Sequence, residues 1–147
     1  ANTSLPVIEK YTRLGIIGNR KRRADVTRLA EQVNLRPRNI DRPIRYFSGG
    51  NQQKAILSRW LNANSEILIF DEPTRGIDVG AKQEIYQLME ALAQQGKAIL
   101  MVSSELPEIL RLSDRVLVMS AGRAAAILER AQANEETIMR HAISKQS

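Results

Sequence analysis

Cysteine is absent from the 147-residue sequence, and histidine occurs once, as His141. Without cysteine the chain can form neither a disulfide bond nor a thiolate metal site, and a single imidazole cannot build a histidine cluster. These two absences exclude a zinc centre built from the usual cysteine and histidine ligands.

Long apolar runs are also absent. No apolar stretch approaches the roughly 18 residues that a membrane-spanning helix requires. Residues 1–6 lack the basic and then apolar regions of a signal peptide, and the first residue is not methionine. We therefore expect a cytoplasmic chain that begins at a cut within a longer protein.

Aromatic residues are scarce, at 4% of the sequence, while the net charge is +6. Positive charge attracts the phosphates of nucleic acids, and the densest basic run covers residues 20–23. No aromatic residue lies within this run to stack on a base. We therefore interpret the run as the solvated start of a helix, in preference to a nucleic-acid patch, and expect no nucleic-acid partner.

The length and the 43% hydrophobic content indicate one globular domain or part of a larger one. Apolar spacing predicts helices over residues 22–33, 49–62, 78–94 and 105–112. Short β-rich runs predict buried strands over residues 67–70, 98–102 and 115–119. We also expect a connector at 34–45, an edge strand at 124–128 and a helix at 134–143 capped by Asn134. Because strands and helices alternate, crossover connections and a parallel sheet follow.

Two acidic residues, Asp71 and Glu72, follow the first of these strands. Ligands of parallel sheets bind outside the carboxyl ends of the strands. Asp71 is placed there to hold Mg²⁺, which proteins usually bind through one or two carboxylates plus phosphate oxygens. Glu72 could polarise a water molecule for attack on a γ-phosphate. Taken alone, the pair is equally compatible with an acidic turn after a strand.

A serine and two glycines, Ser48, Gly49 and Gly50, open the second predicted helix. Glycines let a ligand approach the backbone closely, and the first N–H groups of a helix attract anions. The triplet could therefore bind a phosphate, although by itself a glycine-containing turn into a capped helix is the more common arrangement. The lysine-bearing phosphate loop, G-x-x-x-x-G-K-S/T, occurs nowhere in the sequence. These parts cannot make a complete triphosphate site.

Together these segments resemble the ATPases of ATP-binding-cassette (ABC) transporters. Residues 47–54 (FSGGNQQK) resemble the signature motif of that family, residues 67–74 its Walker B strand, and residues 76–78 its D-loop. The resemblance extends from about residue 20 to the C-terminus. The resemblance is closer to one group within the family, the bacterial importers of the ribose, galactose and xylose type. It is to the C-terminal part of their second nucleotide-binding cassette, and it lies in residues 74–82, 102–110 and 113–115.

The resemblance implies an α/β fold, namely part of a P-loop NTPase core with a parallel sheet and a helical signature subdomain. The part with the phosphate loop is missing. Residues 1–63 would form the signature subdomain, and residues 64–147 the C-terminal part of the RecA-like core. The implied cofactors are ATP and Mg²⁺, with Asp71 as the Mg²⁺ ligand and Glu72 as the catalytic carboxylate. The implied nucleotide-binding residues are Ser48, Gly49, Gly50, Asn51, Gln52 and Asp78.

The sequence departs from the family at one catalytic position. Ser104 stands where the family has its switch histidine. A serine hydroxyl donates a hydrogen bond but cannot carry charge near pH 7 as an imidazole does. Ser104 is therefore a degenerate catalytic candidate beside Glu72.

The resemblance also implies partners. Two cassettes of this family pair head to tail, so the signature residues would act on ATP held by a second ABC cassette. An integral-membrane sugar permease and, indirectly, a periplasmic sugar-binding protein complete the system, with the ATPase peripheral on the inner face of the bacterial cell membrane. We expect the intact protein to couple ATP hydrolysis to sugar import and the isolated chain to be inactive.

Two other functions stay open. A soluble ABC ATPase of translation or repair fits the positive charge, but it needs basic or coiled-coil insertions near the signature, which are absent. A non-catalytic regulatory or remnant half-cassette would dimerise without chemistry.

Overall fold

The computed structural model describes residues 2–13 and 15–143. The α-helices in this part of the chain are α1 (Asn19–Gln32), α2 (Gly49–Asn62), α3 (Val79–Gln94), α4 (Leu106–Leu112) and α5 (Glu135–Ile143). The strands are β1 (Thr12–Arg13), β2 (Ile16–Ile17), β3 (Ile67–Asp71), β4 (Ala98–Val102), β5 (Arg115–Ser120) and β6 (Arg123–Glu129). Two 3₁₀ segments cover Asn2–Tyr11 and Ile44–Tyr46. The helices and strands predicted from periodicity are confirmed, with ends that shift by up to three residues.

Backbone contacts divide the chain into two compact units, Ala1–Leu100 and Met101–Ser147. The first unit contains α1, α2, β3 and α3, and the second contains α4, β5, β6 and α5. The expected subdomain boundary between residues 63 and 64 stays a prediction. None of the described helices is long and apolar enough to cross a membrane.

Helix α1 buries the face that its apolar spacing predicts. Val26, Leu29 and Ala30 point into the first unit, and Ala30 joins a buried cluster with Leu35 and Phe47. Each of the larger buried side chains, such as Leu29 and Phe47, contributes about 1.5–3 kcal/mol through the apolar area removed from water. Packing of this face therefore positions the helices of the first unit.

The connector between α1 and α2 is attached by polar contacts. The guanidinium of Arg23 donates two hydrogen bonds to the Asp41 carboxylate, at 2.8 and 2.7 Å, and this hydrogen bonding lowers the pKa of Asp41. Arg42 donates to the Tyr46 carbonyl at 2.7 Å and lies 5.6 Å from the centre of the Phe47 ring. Because these groups are exposed, they orient the connector more than they stabilise it.

A buried tyrosine joins the first 3₁₀ segment to α1 and α2. The Tyr11 hydroxyl lies 3.0 Å from Asn62 Oδ1 and 3.1 Å from Asp25 Oδ2, and it donates its proton towards both oxygens. Asn62 Nδ2 in turn donates to the Thr3 carbonyl at 3.0 Å. Burial raises the pKa of Tyr11, so the fold favours the neutral phenol.

Strand β3, helix α3 and strand β4 form a crossover unit. The two strands are neighbours in one sheet, and a connection through a helix is the one that parallel neighbours require. Helix α3 buries Ile85, Tyr86, Met89 and Leu92. Gly96 follows the helix with φ of +84°, a left-handed conformation that glycine adopts without steric cost. The predicted end of the helix at Gly96 is confirmed.

The prediction that β3 and β4 are buried strands is wrong, because at least one face of each is exposed. Leu68 is buried, but Ile67 and Ile69 are 67% and 69% exposed, and no residue of β4 is fully buried. Successive side chains of a strand point to opposite faces, so the face that carries the two isoleucines is largely exposed. Beside β3 lies a groove of about 360 Å³, which Ile56 and Trp60 of α2 help to line.

The second unit is built on an antiparallel hairpin. Strand β5 pairs with β6, with Val116 opposite Leu128. The linking residues Ala121 and Gly122 have φ of +47° and +77°, as in the two-residue turns that match the twist of paired strands. Strand β5 therefore takes an antiparallel partner, whereas the sequence predicted a third parallel strand.

Helix α5 covers the buried side of this hairpin. Ile138 packs in a cluster with Val116, Val118 and Leu128. Asn134 Oδ1 accepts a hydrogen bond from the Thr137 N–H at 2.9 Å, so the predicted cap of this helix is confirmed.

The buried phenol of Tyr11 gives a pH-dependent test of the first unit. We expect the free energy of unfolding to fall as the pH rises past about 10, because the unfolded tyrosine releases its proton before the buried one does. Tyr11→Phe should cost about 0.5–1.5 kcal/mol near neutral pH through lost hydrogen bonds, and it should show a shallower alkaline decline. Urea unfolding at several pH values measures both effects.

The control for this test is Tyr46→Phe, because Tyr46 is exposed. It should leave the alkaline decline unchanged. An equally steep decline in the wild-type chain and in Tyr11→Phe would contradict the assignment.

Candidate nucleotide-binding site

The signature segment begins at the N-terminus of α2. Ser48 is the N-cap residue with extended backbone, and Gly49 is the first helical residue. The Ser48 side chain makes no capping hydrogen bond, and both residues are exposed. The first N–H groups of the helix are thus left uncapped by this side chain and carry the positive end of the helix dipole. An anion site requires both properties.

Asn51 orients the Ser48 hydroxyl. Its Oδ1 accepts a hydrogen bond from the Arg36 N–H at 2.8 Å, and its Nδ2 donates to Ser48 Oγ at 3.0 Å. Because Oγ accepts this bond, the hydroxyl proton can be donated outward to a ligand. Gln52 Nε2 donates to the Phe47 carbonyl at 3.0 Å. Asn51 and Gln52, predicted as nucleotide-binding residues, thus hold the shape of the signature turn.

Gly50 is buried, and it permits close packing between two helices. A Cβ atom at this position would lie 2.6 Å from Ala81 Cβ and 3.5 Å from Ile77 Cγ2, whereas a Cβ at Gly49 would meet nothing within 4 Å. Carbon atoms do not approach to 2.6 Å without a shift of the backbone. Gly49 therefore has the room to receive a ligand, while Gly50 brings the start of α2 against the start of α3.

Asp71 is the last residue of β3, the first strand of the crossover unit, and Glu72 follows it. Asp71 is exposed, and its carboxylate has no hydrogen-bond or ion-pair partner among the described residues. Glu72 is half-buried and has φ of +45°. A non-glycine residue in this region costs about 1–3 kcal/mol and persists where its surroundings hold it, often at functional sites. Pro73 and Thr74, both buried, follow it and anchor the turn.

Asp71 fits the expected Mg²⁺ ligand. No group of three or more potential ligand side chains, which could hold a metal alone, occurs within the described residues. Mg²⁺ does not need such a group, because proteins usually bind it through one or two carboxylates together with water and phosphate oxygens. A free carboxylate at the carboxyl end of a strand supplies one of these ligands.

Asp78 caps helix α3. Its Oδ1 accepts a hydrogen bond from the Ala81 N–H at 2.9 Å. Asp78 was predicted to bind nucleotide, and that role stays a prediction; the role that the structure shows is this helix cap. Ala81 is also the residue against which Gly50 packs. The D-loop cap and the signature turn therefore share one neighbour.

In the second unit, Ser104 is exposed between β4 and α4. The preceding residue, Ser103, makes the contacts that fix this turn. Its hydroxyl donates to the buried Glu108 carboxylate at 2.5 Å and accepts from the Glu105 N–H at 3.0 Å. Neither Ser103 nor Glu108 was predicted from the sequence. The available signal was a serine three residues before a helix start and two before its N-cap residue Glu105, where serine commonly bonds the backbone.

Lys54 and Glu84 were also missed. Lys54 of α2 is buried and forms a very short ion pair with Glu84 of α3. Lysine and glutamate are almost always exposed, so neither residue stands out in the linear sequence. The available signal was the position of Lys54 between Gly50 and Leu57, in the stripe that α2 buries.

The structure thus brings the signature turn and the D-loop cap together in the first unit, which also contains Asp71 at the end of β3 and Glu72 directly after it. Ser104 belongs to the second unit. The roles of all these residues towards a nucleotide stay predictions.

Comparison with known proteins gives the family. The protein-family model for ABC transporters matches residues 3–75 of the chain. The chain is 49% identical over 141 residues to the ribose import ATP-binding protein RbsA of Geobacillus kaustophilus. It is 48% identical over 139 residues to the ribose import ATP-binding protein RbsA 1 of Rubrobacter xylanophilus. The chain belongs to the ABC transporter family.

These alignments cover 96% and 94% of this ABC transporter chain but 28% of each relative. The chain therefore spans less than a third of the length of the curated relatives that it matches. Two solved structures of MJ0796, a dimeric bacterial ABC transporter cassette and its post-hydrolysis state bound to ADP and Pi, match with a TM-score of 0.74 and 25% identity. Each match covers 87% of this chain and 54% of the other. The predicted α/β fold of an ABC ATPase is confirmed.

The two helix caps of this ABC transporter chain differ, and stability measurements can compare them. Asp78→Ala removes a capping hydrogen bond and should lower the free energy of unfolding by about 1 kcal/mol, whereas Asp78→Asn keeps an acceptor and should cost little. Ser48→Ala removes no capping bond, so it should cost less than about 0.5 kcal/mol. Urea unfolding of the three variants measures this. Equal losses for Ser48→Ala and Asp78→Ala would contradict the difference between the caps.

Proposed function

We propose that the chain is the C-terminal part of the second nucleotide-binding cassette of an ATP-binding protein that powers monosaccharide import. One observation carries the proposal. Three features follow one another in a single folded unit: a signature turn that the Ser48 side chain does not cap, an Asp71 carboxylate with no partner among the described residues, and a D-loop capped by Asp78. The sequence similarity to two ribose import ATP-binding proteins supports a monosaccharide as the transported molecule.

The start of α2 would bind the γ-phosphate of ATP held by a second cassette. The Gly49 N–H can be approached closely, because nothing lies where its side chain would be. The Ser48 hydroxyl, oriented by Asn51, would donate a second hydrogen bond to the same phosphate. A head-to-tail dimer of cassettes is required for this role. The dimeric structure of MJ0796 supports such a dimer.

The end of β3 would serve the nucleotide of its own cassette. Asp71 would hold Mg²⁺, which when bound neutralises charge on the phosphate oxygens. Glu72 would accept a hydrogen bond from the attacking water and orient it in line with the γ-phosphate. A lysine-bearing phosphate loop must come from outside these 147 residues. The chain thus carries one half of each of two different sites.

Ser104 would complete this second half-site only in part. Its hydroxyl can donate a single hydrogen bond to the γ-phosphate, and it carries no charge near neutral pH. We expect the acid–base role in hydrolysis to fall on Glu72 alone.

Closure of the two cassettes around ATP would drive a membrane permease between its inward and outward states, a ligand-driven domain motion. In this assembly the ATPase is peripheral on the cytoplasmic face of the bacterial membrane, and the sugar arrives through a periplasmic binding protein. The names of the two relatives support ribose import and ATP binding as the activity to which this assembly belongs.

Glu72→Gln in the full-length protein that carries this chain tests the catalytic role. We expect steady-state ATP hydrolysis to fall on the order of 100-fold, because a general base of this kind typically contributes that much or more, while ATP binding is retained. Glu66→Gln changes an exposed acid just before β3 and should have no effect. Unchanged sugar transport in Glu72→Gln would favour a non-catalytic regulatory half-cassette.

The isolated 147-residue chain should show no steady ATP hydrolysis above background, because it has no phosphate loop. A phosphate-release assay on the purified chain measures this. Substantial turnover would overturn the proposal that the chain holds two half-sites. Tight, salt-sensitive RNA binding would instead favour an ATPase of translation or repair.

A further inference from the structure

Lys54 makes a buried contact that the proposed mechanism does not use. It is 5% exposed and lies on α2 one turn after Gly50. Its ammonium donates to the Asn34 carbonyl at 3.2 Å and to Glu84 Oε2 of α3 in a very short contact. Asn34 Nδ2 also donates to Glu84 Oε2, at 3.3 Å. The three residues therefore form a closed network.

Burial makes the position of Glu84 critical. An ammonium removed from water is strongly destabilising unless a carboxylate and further acceptors replace its hydration. Since the Lys54 side chain is 7% exposed and the Glu84 side chain 41%, the lysine depends on the glutamate more than the reverse. Helix α3 must therefore stay where its carboxylate reaches Lys54.

A second contact joins the same two helices on the same faces. Gly50 packs against Ala81, Lys54 lies four residues after Gly50, and Glu84 lies three residues after Ala81. Residues three or four apart in a helix lie on one face. The glycine contact and the ion pair thus lie on consecutive turns of one helix–helix interface, within the first two turns of both helices.

We propose that these two contacts lock α2 to α3, so that the signature turn at Ser48 and the D-loop cap at Asp78 move as one body. Lys54 and Glu84 are then positioning residues for the signature motif. This assignment rests on the proposed function only where it concerns ATP. The lock itself is a mechanical property of the first unit, defined by the contacts of Gly50 and Lys54.

Hydrogen exchange on the 147-residue chain tests the lock. The amides of Gln52 and Lys82 close the first turns of the two helices. In Glu84→Ala we expect both amides to exchange faster, on the order of tenfold, because the variant leaves a buried ammonium without its carboxylate. Lys54→Met should have a smaller effect on both, since it leaves behind a carboxylate that is partly solvated.

The matched controls are Glu31→Ala and Lys21→Met, which change exposed charges on α1. They should leave both amides unchanged. The amide of Ile138, bonded to the Asn134 carbonyl in α5, should keep its rate in all four variants. If Glu84→Ala does not fold, Glu84→Gln, which preserves the side-chain volume, provides the same comparison.

Faster exchange confined to the helix that carries the substitution would overturn the lock. An equal acceleration at Ile138 would also overturn it, because it would mean general destabilisation. In the full-length protein, Glu84→Ala should lower kcat for ATP hydrolysis and leave KM unchanged, since ATP itself is held elsewhere. Absence of ATP hydrolysis in the wild-type protein would reject the proposed function but leave the exchange result to decide the lock.

Discussion

The approach of two helix N-termini at Gly50 is the constraint on which the rest of the candidate site depends. A Cβ atom at this residue would lie 2.6 Å from Ala81 Cβ, so any other amino acid would push α2 and α3 apart. The short approach allows Lys54 to reach Glu84. It also sets the spacing between the start of α2 at Ser48 and the Asp78 cap. One missing side chain thus fixes the relation between two motifs that are far apart in the sequence.

The helices and their ends were largely predictable because their signals are local. The spacing of Val26, Leu29 and Ala30 specifies a face, and Asn134 and Gly96 mark helix ends through the chemistry of one residue each. The pairing of β5 was not predictable in this way. A short apolar run predicts a strand but not its neighbour, and the positive φ at Ala121 belongs to a residue that does not favour that conformation.

In the candidate site, too, features with a local sequence signal were predicted and features set by the tertiary structure were not. Ser48, Asp71 and Asp78 were predicted as site residues from their types, from their spacing and from the resemblance to a family, and their roles towards a nucleotide stay predictions. The contacts that hold these residues were missed, since the partner of a buried polar side chain is set by the tertiary structure. Lys54 pairs with a residue 30 positions away, and no local pattern encodes that distance. The sequence indicates that such a partner exists only where a charged residue interrupts the apolar stripe that a helix buries.

The uncovered face of β3 affects how the chain behaves in solution. Ile67 and Ile69 lie open beside the groove that Ile56 and Trp60 line. Contiguous apolar surface beside a strand attracts other copies of the same surface. The net charge of +6 opposes this association by repulsion, and added salt screens that repulsion. The colloidal stability of the chain is therefore highest in dilute, low-salt solution, the opposite of a protein whose surface charges balance.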